Sequence, residues 1–470
     1  MRLIPIFTWN KTIKRFGNST RKLSNAPWFQ GVLLLVCVII AMLLANLPAT
    51  RVLYKDFLET AMQVHFSSPD GQIDFLFPRD MTIEKFINDI LMVVFFFTVG
   101  LEIKREIADG ELSTARKAML PVIAAFGGVL IPAIIFILIN HDTAAASGWG
   151  IPTATDIAFA VCIMSVLGNK VPISLKVFLT ALAIADDLIA ILVVALFYGG
   201  DINLGLRAIA LCVIIITLRL RALGEKRMLP YLSLAVVVWI LFYYSGIHAT
   251  MSGVVMAFLI PVKPRYNKAY FFHKRTIFNA RIDNWDKQIS PDAFPNGPQR
   301  HNLRELRKIC SGSMDMSYRV EHALSPWVNF LIMPIFALAN AGVEITDPSY
   351  FNVFKFDPAI GGAGMGIFLG LLLGKPVGIS LASWLAIKLK VGEMPDKADW
   401  KMLFAVACLG GIGFTMSIFV DTLSFGDQPA DIMMQMRDAG KIAVLMGSLC
   451  SGILGTILIQ LFHKDSKEKR

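Results

Sequence analysis

Charged residues are scarce in this chain of 470 residues. Asp, Glu, Lys and Arg together make up 17% of it, whereas hydrophobic residues make up 55%. Soluble domains usually carry about 25% charged residues, so this composition excludes an ordinary soluble protein. Apolar runs of about 20 residues recur along the chain, which is typical of membrane-spanning helices. The sequence therefore predicts an all-α polytopic membrane protein.

Cysteine is scarce as well. The chain has six cysteines and no C-x-x-C spacing, and five of the six lie inside apolar runs. These five are Cys37, Cys162, Cys212, Cys408 and Cys450. We interpret them as small packing residues, which excludes a disulfide framework and a cysteine metal site. We expect no cofactor.

Basic residues outnumber acidic ones, and the formal net charge is +10. Such a charge can indicate a nucleic-acid partner. Here, however, the Lys and Arg residues cluster in the short connections between apolar runs, which is the distribution that the positive-inside rule describes. We therefore expect no nucleic-acid partner and predict that both termini are cytoplasmic.

The apolar runs predict about twelve spans. They lie at about 30–47, 84–103, 118–139, 150–168, 173–198, 203–220, 230–245, 246–263, 326–346, 360–388, 401–423 and 438–463. The chain thus divides into a cytoplasmic N-terminal segment 1–26, eight spans within 27–263, a cytoplasmic polar loop 264–325, four spans within 326–463 and a cytoplasmic tail 464–470.

Two connections are long. In the outer loop 48–82, two alternating runs flank the turn residues 67–71, which predicts a β-hairpin. An isolated hairpin is marginally stable in water, so we expect residues 62–77 to pack on something, with a second subunit as one candidate. The polar loop 264–325 is interpreted as a membrane-surface or disordered connector in preference to a regulatory lid.

Two adjacent carboxylates, Asp186 and Asp187, lie inside the otherwise apolar run 173–198. Each costs about 2.5–3.5 kcal/mol at the centre of a membrane helix. Such groups are tolerated where they face protein, water or an ion. The pair is therefore the first candidate for a functional site.

A second polar intrusion lies in the span 150–168. Pro152 breaks the helix there, and Thr155 and Asp156 follow it with their oxygens well inside the span. A carboxylate and freed carbonyl groups at such a break favour a small cation. The alternative is that Asp156 only caps the restarted helix.

Glycines interrupt the span 401–423 in a matching place. These residues are Gly410, Gly411 and Gly413. By themselves they would indicate close helix packing. However, this span is the second of the triplet 360–463, as the span broken at Pro152 is the second of the triplet 118–198. Paired interruptions predict inverted-topology repeats with two discontinuous crossing helices and a site between them.

Two further groups carry charge within or beside spans. Lys375 lies deep in the span 360–388, too far from its ends to reach the membrane surface, and we expect the Asp186 and Asp187 pair to compensate it. Glu102, Arg105 and Glu106 share one face at the inner end of the second span. Spacing alone favours a solvated helix end for this group.

Together these motifs resemble the NhaA family of bacterial sodium/proton antiporters. The similar strings run in order over about 84–463: FFFTVGLEIKREI, TATDIAFA, ALAIADDLIAI, SGIHAT, EHALSPWV, FALANAGV, GKPVGIS and GGIGFTMSIF. Ala185 and Ile189, beside the aspartate pair, depart from the isoleucine and glycine that the resemblance leads us to expect.

The resemblance implies an electrogenic, pH-regulated antiporter of a bacterial inner membrane that exchanges cytoplasmic Na⁺ or Li⁺ for external protons. Asp187 would be the principal cation ligand, and Asp186 would share a proton with Lys375. Asp156 and Thr155 would lie at the crossing of the broken helices. A pH-regulating group would comprise Glu102, Arg105, Glu106, Glu321 and, more weakly, His248. The outer hairpin 62–77 would join a homodimer.

Two other functions are compatible with parts of the pattern. A sodium-coupled symporter of an organic anion has the same broken-helix architecture but needs a larger polar cavity. An intramembrane aspartyl protease also uses two membrane carboxylates that share a proton. It would need them on separate facing helices after a G-x-G-D lead, and Asp156 does not follow such a lead.

Overall fold

The computed structural model describes most of the chain. It covers residues 27–62, 64–67, 74–77, 81–199, 203–262, 264–285, 297–345, 352–356, 361–396, 398–426 and 429–468. The predicted cytoplasmic segment 1–26 and residues 68–73, which include most of the predicted hairpin turn, lie outside the described residues.

The described residues are almost entirely helical. The helices are α1 (Pro27–Asn46), α2 (Arg51–Glu59), α3 (Ile83–Ala108), α4 (Ala115–Asn140), α5 (Ile157–Leu167), α6 (Ile173–Phe197), α7 (Leu204–Ala222), α8 (Met228–Ser245), α9 (Thr250–Leu259), α10 (Lys268–Trp285), α11 (Gly297–Ser313), α12 (Met316–Asn340), α13 (Ala363–Lys388), α14 (Trp400–Leu409), α15 (Phe414–Ser424) and α16 (Ala430–Glu468). A 3₁₀ helix, Ala144–Thr153, precedes α5.

Apolar length determines which helices can cross a membrane. Within the described residues nine helical segments are long and apolar enough, and the pair α14 and α15, bent by 51°, makes up to ten. Two predicted spans are not among these helices. The span predicted at 203–220 forms α7, which carries three arginines. The span predicted at 246–263 contains α9, which has only 10 residues. Ten residues rise about 15 Å, half of the roughly 30 Å hydrocarbon layer. A count of twelve crossings stays a prediction.

Two short strands, β1 (Val64–Ser67) and β2 (Asp74–Phe77), pair antiparallel in the outer loop. Val64 pairs with Phe77 and Ser67 with Asp74. A bridge between Ala61 and Thr82 continues the pairing beyond the strands. The role of this loop as a subunit contact remains a prediction.

The polar segment 264–325 is largely helical in its described parts, 264–285 and 297–325, and its position at the membrane surface stays a prediction. It forms α10 and α11, and α12 starts at Met316, before the predicted start of the next span at 326. Phe278 and Ile309 are buried within these polar helices. A few apolar residues on one face allow a polar helix to pack against its neighbours. The average composition of the segment does not show such a face.

The chain folds as two compact units. The first comprises Met1–Met92, Ile107–Gly199 and Asn329–Arg470, and the second comprises Val93–Glu106 and Gly200–Val328. In the first unit, residues of α4, α5, α6, α13, α14 and α16 form an apolar core. In the second unit, residues of α3, α7, α8, α9 and α12 form another.

A row of glycines fixes the position of α13 in the first unit. These glycines recur every fourth residue: Gly366, Gly370, Gly374 and Gly378. A methyl group on Gly370 would lie 2.7 Å from Pro152 Cβ, and one on Gly374 would lie 2.9 Å from Pro132 Cα. The backbones therefore approach closely, as small residues allow in membrane helices. This packing places Lys375 against the first broken span.

Candidate ion-binding site

Both predicted interruptions are breaks in the helices. The 3₁₀ helix Ala144–Thr153 contains Pro152 and leads into extended backbone at Ala154 and Asp156, after which α5 starts. Helix α14 stops at Leu409, and α15 starts at Phe414. Pro152 has no N–H to donate to a helical ladder, and the 3₁₀ helix ends one residue after it.

The two breaks bind each other within the first unit. The Asp156 N–H donates to the Ile412 carbonyl at 2.6 Å, and the Thr155 hydroxyl donates to the Gly410 carbonyl at 2.8 Å. A methyl group on Gly413 would lie 2.7 Å from the Ala154 oxygen, so the close approach needs glycine there. The two broken spans therefore cross at their unwound residues.

The Asp156 carboxylate joins two helix N-termini. Its Oδ1 accepts from the N–H groups of Ala158 and Phe159 at 3.0 and 3.3 Å, at the start of α5. Its Oδ2 accepts from the N–H and hydroxyl of Thr415, at the start of α15, at 3.0 and 2.5 Å. An ionised carboxylate offers about four acceptor sites, so Asp156 is fully used as a double cap.

Lys375 and Asp186 form an ion pair with no exposed side-chain surface. The Lys375 Nζ donates to Asp186 Oδ2 at 2.5 Å and to the Thr155 hydroxyl at 2.9 Å. Lys375 directly follows a π-helical turn, Gly370–Gly374, and such turns are frequent at functional sites. The expected compensation of this lysine by the aspartate pair is therefore present in the structure.

Asp187 is the neighbour of Asp186 on α6, and 4% of its surface is exposed. Successive residues on an α-helix point about 100° apart, so the two carboxylates face different directions, and the charge of Asp187 also acts on Lys375. The other oxygen of Asp186, Oδ1, has no hydrogen-bond partner among the described residues. Two carboxylates and one ammonium leave one formal negative charge for a proton or a small cation.

Thr415 is a site residue that the sequence reasoning missed. It lies within the glycine motif, two residues after Gly413, at the N-terminus of a restarted helix. A threonine at the start of a helix is a signal that the sequence offers, because hydroxyl side chains at helix starts often form hydrogen bonds with the polar groups there. Its partner, Asp156, lies 259 residues away in the chain, which spacing does not reveal.

The second unit contains a separate charged cluster. Arg105 pairs with Glu321 and with Glu106 at 3.1 Å, and it lies 4.0 Å from Glu102. Glu321, which only the resemblance had indicated, is 7% exposed and comes from α12. Four of the five residues that the resemblance implies therefore meet in the structure, while the Glu102 and Arg105 side chains remain 40% and 35% exposed, as at a partly solvated helix end.

His248 lies away from that cluster. It precedes α9, whereas the neighbour of Arg105, Lys104, donates to the Ala257 and Phe258 carbonyls at the other end of α9. The ten residues of α9 rise about 15 Å. Lys104 was also missed by the sequence reasoning: it is 8% exposed and caps carbonyls at a helix C-terminus.

These features define a class of protein. Helices long enough to cross a membrane, two of them broken and crossing, with ionisable residues at the crossing, are characteristic of ion-coupled membrane transporters. The Na⁺/H⁺ antiporter 1 family model matches residues 21–459.

Individual relatives agree with that match. The Na⁺/H⁺ antiporter NhaA of Pelagibacter ubique is 39% identical over 91% of this chain and 94% of its own length. The NhaA of Oleidesulfovibrio alaskensis is 39% identical over 94% of this chain and 93% of its own length. That of Escherichia coli O1:K1 is 38% identical, over 90% and 93%. The chain belongs to the Na⁺/H⁺ antiporter 1 family.

A solved structure is also similar to this chain. The sodium proton antiporter MjNhaP1 from Methanocaldococcus jannaschii matches at a TM-score of 0.49 and 15% identity, over 92% of both chains.

Proposed function

We propose that this chain is a Na⁺/H⁺ antiporter that exports cytoplasmic Na⁺ or Li⁺ in exchange for external protons. Membership of the family and the names of its relatives support the exchanged ions. The observation that carries the proposal is the buried pair of Lys375 and Asp186 beside Asp187, at the crossing of two broken helices. Ionisable groups so deep in a membrane segment mark ion pathways.

Competition for the aspartates accounts for the exchange. Na⁺ binds when Asp187 and Asp186 are ionised, with Asp187 as the principal ligand, and protons bind to the same oxygens when the cation has left. Asp186 shares its proton with Lys375. Only O–H and N–H bonds form and break in this cycle, while the protein exposes the site to the two sides in turn.

Exchange of more than one proton for each Na⁺ makes the transport electrogenic. Moving one elementary charge through a membrane potential is worth roughly 2.3 kcal/mol per 100 mV. Replacing one bound Na⁺ by two protons raises the net charge of Lys375, Asp186 and Asp187 by one, so one positive charge moves inward in each cycle. We therefore propose that the membrane potential as well as the proton gradient drives Na⁺ out.

The crossing holds the site in place. Asp156 carries the negative charge that two helix N-termini favour, and Thr155 connects Lys375 to the Gly410 carbonyl near the C-terminus of α14. Fixed dipoles and charges thus surround the exchanging groups. Asp156 and Thr155 act by electrostatics and positioning in this proposal.

Transport in everted membrane vesicles tests the proposal. Added Na⁺ should dissipate a preformed pH gradient, and Asp187→Asn should abolish that response. Asp142→Asn is the matched control, because the Asp142 side chain is 85% exposed, and it should behave as the parent protein. An unchanged sodium response in Asp187→Asn vesicles would show that the site is assigned wrongly.

The organic-anion symporter is not supported. The relatives that match over most of their length are antiporters by name, and no contact in the described residues favours an organic ligand. The same vesicles test this alternative, because a symporter would show sodium-dependent uptake of an organic anion and no proton flux.

The charged cluster of the second unit suggests control by pH. We propose that Glu102, Arg105, Glu106 and Glu321 act together as this pH-regulating group, with a weaker contribution from His248, because one guanidinium contacts three carboxylates. The Arg105 guanidinium stays charged, so the protons of this switch are gained and lost on Glu102 and Glu321. The sodium response in vesicles, measured over a range of pH, should then rise steeply with alkalinity.

The position of the chain in the cell is likewise proposed. The loop charges support a bacterial inner membrane protein surrounded by lipid, with both termini in the cytoplasm. The strand pair within 62–77 is the proposed contact of a homodimer, because a two-stranded sheet is marginally stable by itself.

A further inference from the structure

Asp421 is a buried carboxylate that the proposed exchange cycle does not use. It lies in the last turn of α15 and has no exposed surface. Neither of its oxygens has a hydrogen-bond partner among the described residues. Asp156, on the facing span, has all its acceptor sites filled. A buried polar group without a partner is expensive and rare, so Asp421 needs an explanation.

The space around the Asp421 carboxylate is made by a glycine. A methyl group on Gly440 of α16 would collide with the Oδ1 atom of Asp421 and would lie 2.9 Å from its Cγ. The carboxylate therefore rests against helix backbone whose N–H groups are already used inside α16. Any larger residue at position 440 would remove this space.

Charged groups near Asp421 come mainly from α16. Arg437 and Lys441 supply two positive charges and Asp438 one negative charge. Arg437 donates to the Thr422 carbonyl, and its Nε has no hydrogen-bond partner among the described residues. With all four groups ionised, this cluster carries no net charge.

Other elements packed on α15 add one titratable group. This group is Tyr198, which follows α6 and is close enough to feel the negative charge of an ionised Asp421. The 3₁₀ helix Ala144–Thr153 and the Met333–Asn340 part of α12 contact α15 and contain no titratable residue.

Polar residues on one face of α15 connect Asp421 with the crossing. Gly413, Ser417 and Asp421 follow each other at intervals of four residues, and Ser424 continues the row. Residues at this spacing are neighbours on a helix surface. The Ser417 hydroxyl is also buried, and no partner for its oxygen is found in the described part of the chain.

This polar row spans the outer half of the first unit. From Gly413 to Ser424 it rises about 16 Å, or half of the roughly 30 Å hydrocarbon layer. It runs from the broken helices to the end of α15 that the loop charges predict to be external. Polar groups that continue from an ion site to one membrane surface mark a pathway.

We propose that Asp421 is a proton-exchange group on the external side of the ion site. This inference rests on the proposed antiport. The Asp421 carboxylate takes a proton from external water, and the resulting acid passes it to the Ser417 hydroxyl, which can accept one proton while it donates another. The proton that leaves Ser417 moves on towards the carboxylates of the exchange site, Asp186 and Asp187. A proton is favoured over Na⁺ because it needs one lone pair, whereas Na⁺ needs several oxygens and would meet Arg437 and Lys441.

The test uses the full-length protein with Asp421→Asn. Loss of a positioned proton-transfer group typically slows the transfer by 10²–10⁴, and other steps share control of transport, so we expect exchange to slow by roughly tenfold or more. Its dependence on external pH should flatten, while Na⁺ should still raise the thermal stability of the purified protein. Exchange at the parent rate with an unchanged external pH profile would overturn the inference.

Two comparisons separate this inference from its alternatives. Asp438→Asn removes a negative charge from the same cluster and should keep the external pH profile of the parent. The double variant Asp421→Asn/Arg437→Gln removes both charges and should remain slow. If it regains the parent rate, Asp421 is only a counter-ion and the inference is wrong. The double variant also provides the test if Asp421→Asn alone does not fold.

Failure of the inference is distinguishable from failure of the proposed function. Asp187→Asn should lose both the exchange and the stabilisation by Na⁺, whereas Asp421→Asn should lose only exchange rate. A parent-like Asp187→Asn would contradict the proposed site. If Asp421→Asn loses the stabilisation by Na⁺, Asp421 holds the cation itself and the assignment to protons is wrong.

Discussion

Asp156 and Asp186 are both buried carboxylates of the first unit, but their surroundings differ. Asp156 accepts four hydrogen bonds from the starts of two helices. Asp186 accepts one from Lys375 on Oδ2, while Oδ1 has no hydrogen-bond partner among the described residues. The donors of Asp156 are mostly backbone N–H groups that cannot lose their protons. The donor of Asp186 is an ammonium that can.

This difference separates a fixed charge from an exchanging one. A carboxylate whose acceptor sites are filled by helix ends gains nothing from a proton, because protonation would break its hydrogen bonds. A carboxylate with one oxygen that accepts no hydrogen bond, and with a partner that can itself lose a proton, can exchange a bound proton for a cation. Four variants test this distinction.

Lys375→Met should have the largest effect on stability. It leaves Asp186 buried without its cation, and breaking one side of a buried pair typically costs about 3–5 kcal/mol. Chemical unfolding in detergent micelles measures the change in the free energy of unfolding. Lys388→Met, at the exposed end of the same helix, is the control and should change it little.

The double variant Lys375→Met/Asp186→Asn sharpens that result. It removes both charges, so most of the lost stability should return, while exchange should remain absent. If the double variant is no more stable than Lys375→Met, the two side chains are not coupled and the pair is assigned wrongly.

Asp156→Asn should have an intermediate effect, of about 2–4 kcal/mol. The amide keeps the shape but loses the charge, and its NH₂ group cannot accept from one of the two helix ends. Hydrogen bonds to charged groups are worth about 1.5–3 kcal/mol each. The same unfolding experiment checks this, and a loss in Asp156→Asn below that of Asp142→Asn would contradict the double cap.

Thr415→Val should have the smallest effect, about 1.5–3 kcal/mol, which is the typical worth of one hydrogen bond to a charged group. It removes the hydroxyl donor to Asp156 but keeps the backbone N–H of residue 415. Because Asp156 is a fixed charge, exchange should continue at close to the parent rate. Thermal unfolding and vesicle transport on the same preparation test both statements, and abolished exchange would show that Asp156 takes part directly.

The buried pair of Lys375 and Asp186 could be predicted from the sequence, because charged residues are conspicuous in an apolar span. Asp186, Asp187 and Lys375 stand out in apolar runs, and the Lys375–Asp186 pair that they predict is present. Pro152 and the glycines at 410–413 likewise mark the two breaks. Membrane burial and helix-breaking residues are local properties, so spacing along the chain reveals them.

Residues near helix ends were harder to predict. Asp421 and Lys104 lie at the ends of the predicted spans 401–423 and 84–103, where a charged side chain can usually reach water, yet both are buried. Whether such a side chain faces protein or water depends on the rotation of its helix and on its neighbours, such as Gly440. The contact of Glu321 with Arg105 joins positions 216 residues apart, so only the resemblance indicated it.

The hydrogen bonds at the crossing also limit how this unit can move. Asp156 binds the Ile412 carbonyl and Thr415, and Thr155 binds the Gly410 carbonyl. Sliding one broken span past the other would break all of these bonds where no water can replace them, at several kcal/mol for each unsatisfied group. Moving the two broken spans as one body keeps all of these bonds and is therefore the less costly route. The step that changes access must carry both broken spans together.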